Sequence, residues 1–203
     1  MTFAPTLDPV AKDRVLRPVI ATAESLEGYG WIMGQPAGVE RDKIDFYGRE
    51  VRVTHPAKFH SNDDTCLNLV SFKERPLRVR WMEYHTKHTQ TFIPLAGQPF
   101  YMVLGKPTQR RADGSWDESA SPVPNMDDVT CFYFDGSAGI VMHVGTWHEV
   151  PFPIDGDTHF VCICTGETND NLEAQDENGE ARGGDLEKVR IDRRFSEGLV
   201  IQP

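Results

Sequence analysis

A succession of short runs rich in Val, Phe, Tyr and Cys, punctuated by Gly and Pro, leaves this chain little choice but β-sheet. The runs fall at 51–54, 66–72, 77–85, 90–94, 99–104, 129–134, 139–143, 147–152 and 158–164, and together they predict an all-β barrel. One short helix is expected over 23–27, with Thr22 as N-cap and Gly28 at its stop. Two segments break the pattern. Residues 106–128 are polar and rich in Pro, Asp and Ser, which marks a long loop of the kind used as a lid or a partner contact. Residues 165–184 are acidic and Gly-bearing and should be solvated, followed by a terminal helix or strand over 186–195.

A chain of 203 residues is long enough to bury a sizeable core, and one domain over 1–203 is the simplest organisation. Its core is expected at about 15–165, with 166–203 as a C-terminal extension. A hydrophobic content of 39% with 26% charged residues is that of an ordinary globular protein. The formal net charge of −10 speaks against a nucleic-acid surface and against anionic membranes. The N-terminal stretch has neither a basic nor an apolar signal region, and no apolar run approaches the ~20 residues needed to span a bilayer. The cytoplasm is the expected compartment. Cys66 and Cys131 stand alone on apolar runs, and Cys162 and Cys164 are two apart on a strand, an awkward separation for a disulfide. Buried free thiols are the expectation. Gly28-Tyr-Gly30 lacks the strand-to-helix context of a dinucleotide fingerprint, so no organic cofactor is expected.

The chemistry concentrates in W-M-E-Y-H-T-K-H-T-Q-T-F-I-P-L-A-G, residues 81–97. Alternation on a strand places Glu83 and His85 on one face, with Trp81 and Val79 beside them. Gln90, Phe92 and Pro94 share parity on the next extended segment. A carboxylate, an imidazole and an amide on one apolar wall outline a small polar pocket. In H-V-G-T-W-H, residues 143–148, one of Trp147 and His148 must face inward, and His143 is a second imidazole for the rim. His55, His60, His88 and His159 have weaker cases: His88 sits in a turn and is expected to be exposed, and His159 shares parity with Val161 and Ile163. Arg78 and Arg80 alternate against Val79 and Trp81, so they are expected on the outer face. Arg52 and Lys58 are candidates for a substrate carboxylate, which needs cationic or amide donors.

Glu83-x-His85-x4-Gln90-x6-Gly97 resembles the first cupin motif, and His143-x-Gly145-x2-His148 resembles the second. Glutamate stands where the first motif has its first histidine, glutamine where it has glutamate, and His143 where the second motif usually has proline. A closer resemblance is carried by T-Q-T-F-I-P-L-A-G-Q-P-F-Y-M-V-L-G after Glu83-x-His85, by G-I-V-M-H-V-G-T-W-H-E-V-P-F at 139–152, and by V-L-R-P-V-I-A-T-A-E-S-L-E-G-Y-G-W-I-M near the start. In that order, over roughly 15–165, these segments resemble the ureidoglycolate lyase family.

The resemblance implies a cupin-like antiparallel β-barrel, a jelly roll, that cleaves ureidoglycolate to glyoxylate and urea in purine catabolism and allantoin degradation. It implies Glu83, His85, Gln90, His143 and His148 as catalytic residues. Glu83, His85, Gln90 and His148 could hold a divalent metal ion, whose identity the ligand types leave open. A homodimer acting on a small carboxylic acid is expected. The alternative keeps the barrel as a metal-dependent hydrolase, isomerase or dioxygenase of another small acid. A third reading is a non-enzymatic sensor, which would bind ligand without turnover.

Overall fold

The computed structural model describes residues 12–34, 43–46, 51–61, 64–109, 111, 115–117, 123–195 and 197–203. The run F-Y-M-V-L-G explains the architecture. It forms the strand Phe100–Gly105, in which every residue is buried. Phe100, Met102 and Leu104 point into one apolar cluster and Tyr101 and Val103 into another, so this strand lies between two packed layers. A continuous apolar run is what burial on both faces requires.

Phe100–Gly105 belongs to a seven-stranded sheet ordered Leu186–Arg190, Trp81–His85, Trp147–His148, Phe100–Gly105, Thr130–Phe134 and Val19–Ile20, with Phe152–Pro153 also pairing to Phe100–Gly105. A five-stranded antiparallel sheet is ordered Gly30–Gly34, Ala138–Met142, Thr91–Pro94, Thr158–Thr165 and Thr65–Phe72. The first cluster lies between these two sheets, joining Phe100, Phe132 and Phe134 to Ile140, Phe92 and Phe160. Phe100 stacks on Phe134 at 4.6 Å between centroids and meets Phe160 edge-on at 5.0 Å. The all-β class holds. The closed barrel does not: among the described residues the strands form separate hydrogen-bonded sheets, and no pairing joins the edges of the seven- and five-stranded sheets.

The second cluster covers the outer face of the seven-stranded sheet. A three-stranded sheet of Lys12–Leu16, Glu197–Ile201 and Arg78–Val79 supplies Leu16, Leu199, Ile201 and Val79. The chain passes from this sheet to Trp81–His85 at Arg80, whose carbonyl accepts from Ile191 N–H at 2.8 Å. That break resets the alternation, so Val79 lies with Met82 and Tyr84 in the outer layer and not beside Glu83. Arg78 is half-buried and bidentate to Asp13 at 2.6 and 2.7 Å.

The predicted helix over 23–27 is a hydrogen-bonded turn over 23–29. Its start is as expected: Ser25 N–H donates to Thr22 Oγ1 at 3.0 Å, and Thr22 N–H donates to Ser25 Oγ at 2.9 Å. Gly28, at φ 86°, then ends the helical geometry after one turn. The described part of the 106–128 loop packs on the outer layer. Trp147 Nε1–H donates to Thr108 Oγ1 at 2.9 Å, Tyr84 O–H donates to Gln109, and the Trp116 ring lies 6.0 Å from that of Tyr84. The four cysteines are free, three of them buried and Cys66 half-buried. His159 is exposed and bonded to Ser71 Oγ at 2.7 Å.

The C-terminal segment is built into the molecule. Helix Gly166–Glu173 begins at Thr165, whose side chain accepts from Thr168 N–H. Leu186–Arg190 then adds a strand to Trp81–His85, and Glu197–Ile201 runs parallel to Lys12–Leu16. Because Leu199 is completely buried in the second cluster, Leu199→Ala should cost about 2–5 kcal/mol. Urea unfolding should show a lower midpoint at unchanged slope; a change under ~0.5 kcal/mol, the usual size for a surface substitution, would make this strand an appendage.

Candidate active site

Directly opposed residues on neighbouring strands project from the same face of a sheet. In the seven-stranded sheet Lys188 opposes Glu83, Glu83 opposes His148, and His148 opposes Leu104. Leu104 belongs to the cluster between the sheets, so this row faces the interior. His85 lies two residues beyond Glu83 on the same face. Trp147 points the other way into the outer layer, which leaves His148 inside, as alternation demands. The turn before it is fixed by Gly145, at φ 86°, whose N–H donates to His85 O at 2.8 Å. Thr146 Oγ1 donates to Tyr29 O at 2.7 Å and ties the same turn to the 23–29 segment.

Glu83, His85 and His148 are buried, and one donor atom from each lies within 4.8 Å of the others. His148 Nε2 is 3.5 Å from Glu83 Oε1, and Lys188 Nζ is 3.9 Å from Glu83 Oε2. Burial alone would raise the Glu83 carboxyl, but attraction to His148, Lys188 and His85 outweighs it and holds the group down at about 2. His85 moves down to about 3, first because burial penalises the imidazolium and then because His88 and His148 are close. Glu149, next to His148, is pushed up to about 7 by burial, which nearby Arg75 opposes and Glu83 reinforces.

Gln90 is buried on the segment leading into Thr91–Pro94 of the facing sheet, and its backbone carbonyl accepts from Met142 N–H at 2.8 Å. Among the described residues its side-chain Oε1 has no hydrogen-bond partner, nor do the buried His85 Nε2 and His88 Nε2, and His148 Nε2 has only the Glu83 carboxylate at 3.5 Å. Buried polar atoms left unpaired cost free energy, so several of them in one interior point to a ligand that supplies donors or positive charge. A carboxylate with two imidazoles suits first-row divalent metals, and the Glu83, His85 and His148 side chains could bind one. His143 is half-buried, with its ring edge-on to Trp31 at 4.1 Å between centroids; it is outside the groups whose donor atoms converge.

His88 corrects the expectation of an exposed turn residue. It is completely buried, and its Nδ1 lies 2.7 Å from Asp185 Oδ2. The turn is drawn inward because Thr86 N–H donates to Asp185 O at 2.8 Å and Lys87 N–H to Asp185 Oδ1 at 2.7 Å. Sequence reasoning also missed Lys188, whose segment 186–195 read only as a terminal helix or strand of the C-terminal extension. Lys58 is exposed, and the side chain of Arg52 lies outside the described residues.

Comparison with known proteins places this geometry in context. A family model described as ureidoglycolate lyase matches residues 13–194. The chain is 30% identical over 113 residues to a ureidoglycolate lyase of Pseudomonas paraeruginosa, covering 55% of this chain and 59% of that protein. It is 31% identical over 100 residues to one from Pseudomonas fluorescens, covering 49% and 52%. A third, from Azotobacter vinelandii, is 28% identical over 88 residues, covering 43% and 45%. The matched stretch thus spans about half to three-fifths of these curated relatives.

The depressed Glu83 carboxyl has a consequence for acid stability. A group ionised more readily in the folded than in the unfolded state contributes stability above its unfolded value, and loses it as pH falls toward its folded value. For Glu83 that window runs from 4.5 down to about 2. Glu83→Gln should therefore unfold with a shallower loss of stability across that window than the parent protein. Parallel slopes in urea titrations at pH 5, 4 and 3 would contradict the assigned ionisation.

Proposed function

Since the chain belongs to the ureidoglycolate lyase family, we propose that it is a carbon–nitrogen lyase that cleaves ureidoglycolate to glyoxylate and urea. The observation that carries this reading is the buried convergence of Glu83, His85 and His148. The carbon to be cleaved bears a hydroxyl and a ureido nitrogen. A base takes the hydroxyl proton, the carbon–oxygen bond becomes a carbonyl, the carbon–nitrogen bond breaks, and an acid protonates the departing nitrogen. Two proton carriers on opposite sides of one carbon are what this needs. His85 and His148 fill those roles, with their rings 5.3 Å apart between centroids. Glu83, ionised beside His148, orients that ring and supports its protonated form as the proton transfers. Gln90 offers its amide to the ureido group, Lys188 offers a cation to the substrate carboxylate, and His143 serves the rim.

A second reading keeps the site and adds a metal: a metal-dependent cupin hydrolase, isomerase or dioxygenase acting on another small acid. It is favoured by His85 Nε2 and Gln90 Oε1, which have no hydrogen-bond partner among the described residues, and by the convergence of Glu83, His85 and His148. Glu83, His85, Gln90 and His148 would hold a divalent ion, which would polarise a substrate oxygen as a Lewis acid. In either reading we take the two packed sheets as a cupin-like jelly roll. A homodimer is supported by Leu67 and Leu69, which are 73% and 69% exposed on the outer face of the strand Thr65–Phe72. Among the described residues no helix is long and apolar enough to cross a membrane, and the free thiols support a cytoplasmic setting.

Incubation with racemic ureidoglycolate should release glyoxylate and urea in equal amounts, before and after chelation. Absence of both products from folded protein rejects the lyase. Loss on chelation with recovery on adding Mn²⁺ or Zn²⁺ favours the metal-dependent reading. His85→Ala and His148→Ala should each lower kcat by ~10²–10⁴ with an unchanged circular dichroism spectrum. Near-normal turnover in both would remove these histidines from the chemistry.

A further inference from the structure

A second buried cluster adjoins the proposed catalytic residues and has no part in the proton transfers above. Its centre is Asp185, completely buried at the entry to Leu186–Arg190. Asp185 Oδ2 receives His88 Nδ1 at 2.7 Å, Thr165 Oγ1 at 2.7 Å and Thr168 Oγ1 at 2.9 Å, while Oδ1 receives Lys87 N–H at 2.7 Å. Both oxygens are already engaged with donors, so this carboxylate is poorly placed to ligate a metal although it stands close to His85 and His88. Its effect on those two rings is the more specific feature.

A carboxylate bonded in this way only accepts hydrogen bonds, so the His88 nitrogen facing it carries the proton. Neutral His88 then has its lone pair on Nε2, which is buried and without a partner beside the His85 ring, 4.4 Å away between centroids. Thr168 has one hydroxyl proton and donates it to Asp185. Toward His85 Nδ1, 3.4 Å away, the same hydroxyl can therefore only accept, which places the His85 proton on Nδ1 as well. His148 differs: its Nδ1 also faces an oxygen acceptor, the backbone carbonyl of Thr146 at 3.0 Å, but its Nε2 faces the Glu83 carboxylate at 3.5 Å. The three rings thus have Nδ1 turned to oxygen acceptors, and the Nε2 atoms of His85 and His88 are buried without a hydrogen-bond partner among the described residues. The bond made by one imidazole nitrogen determines what the other can do.

We propose that Asp185 is the positioning residue of this site. Directly through His88, and through Thr168 to His85, it fixes both imidazoles as Nδ1–H tautomers, so that His88 becomes a third ring whose Nε2 lone pair can take an electron-pair acceptor. That acceptor is either an acidic substrate proton or a divalent cation. The inference rests on the reading of His85 and His148 as site residues, but its primary test needs no substrate. It therefore stands or falls separately from the lyase activity.

The experiment is long-range proton–nitrogen correlation on the full chain carrying ¹⁵N-histidine, at neutral pH after chelation, with rings assigned by single His→Gln variants. His85 and His88 should each show a protonated Nδ1 and a lone-pair Nε2. Thr168→Val should release His85 alone from this state. Asp185→Ala should release both His85 and His88 and lower kcat by about 10–100-fold, the usual scale for a residue that orients a site imidazole. Asp185→Asn, which keeps an acceptor oxygen, should recover part of both effects. A wild-type His88 protonated on Nε2 overturns the proposal, as does an Asp185→Ala protein with parental tautomers. Should Asp185→Ala not fold, the parental spectrum and Thr168→Val decide. Zn²⁺ added to the chelated protein separates the two acceptors: Nε2 resonances that move at His88 identify a cation, and resonances that stay identify a substrate proton.

Discussion

The strand Phe100–Gly105 has no face in water, and the rest of the molecule is arranged around that constraint. Its even-numbered residues require one apolar layer and its odd-numbered residues another, so a single sheet with a wet face could not accommodate it. The five-stranded sheet closes one side. The strands Lys12–Leu16, Glu197–Ile201 and Arg78–Val79 close the other, with help from the described part of the 106–128 loop. Leu104 also pairs with His148, so the strand that organises the core sets the register of the proposed catalytic row. A slip of one residue there would turn His148 outward and Trp147 inward.

Placing that row inside an apolar sandwich makes its charges consequential. An ionised carboxylate is expensive to bury alone, and Glu83 has His148 Nε2 at 3.5 Å and Lys188 Nζ at 3.9 Å, which hold its carboxyl down. Of these, Lys188 is the one that brings an ammonium, on the strand beside Glu83. His85, by contrast, is held neutral by burial and by the neighbouring imidazoles. One acid kept charged and one base kept uncharged within 4.8 Å is a division of labour produced by environment, since both side chains hang from the same short strand.

What the sequence disclosed follows the range of the interactions involved. The shared face of Glu83 and His85 and the opposite orientations of Trp147 and His148 are local consequences of strand alternation, and they are seen as expected. The cap at Thr22 is equally local. The same alternation failed at Val79, because the chain changes sheets at Arg80 and no composition signal marks that break. Strand spacing also says nothing about whether sheet edges pair, so a closed barrel and two sheets have the same sequence signature. His88 lies among polar residues that predict an exposed turn. Its partner Asp185 is 97 residues away in an acidic, Gly-bearing stretch, and only tertiary pairing brings the two together.

The same long-range pairing ties the proposed chemistry to completion of the fold. Leu186–Arg190 supplies Lys188 opposite Glu83, and Asp185 immediately precedes it beneath His88. Without that strand Glu83 would lack its cation and His88 its acceptor, so two buried polar groups depend on one edge pairing. The strand also occupies one edge of the seven-stranded sheet and leaves Trp81–His85 with hydrogen-bonded neighbours on both sides. A strand enclosed in this way holds Glu83 and His85 on rigid backbone, which is the condition under which small differences in imidazole orientation have large effects on proton transfer.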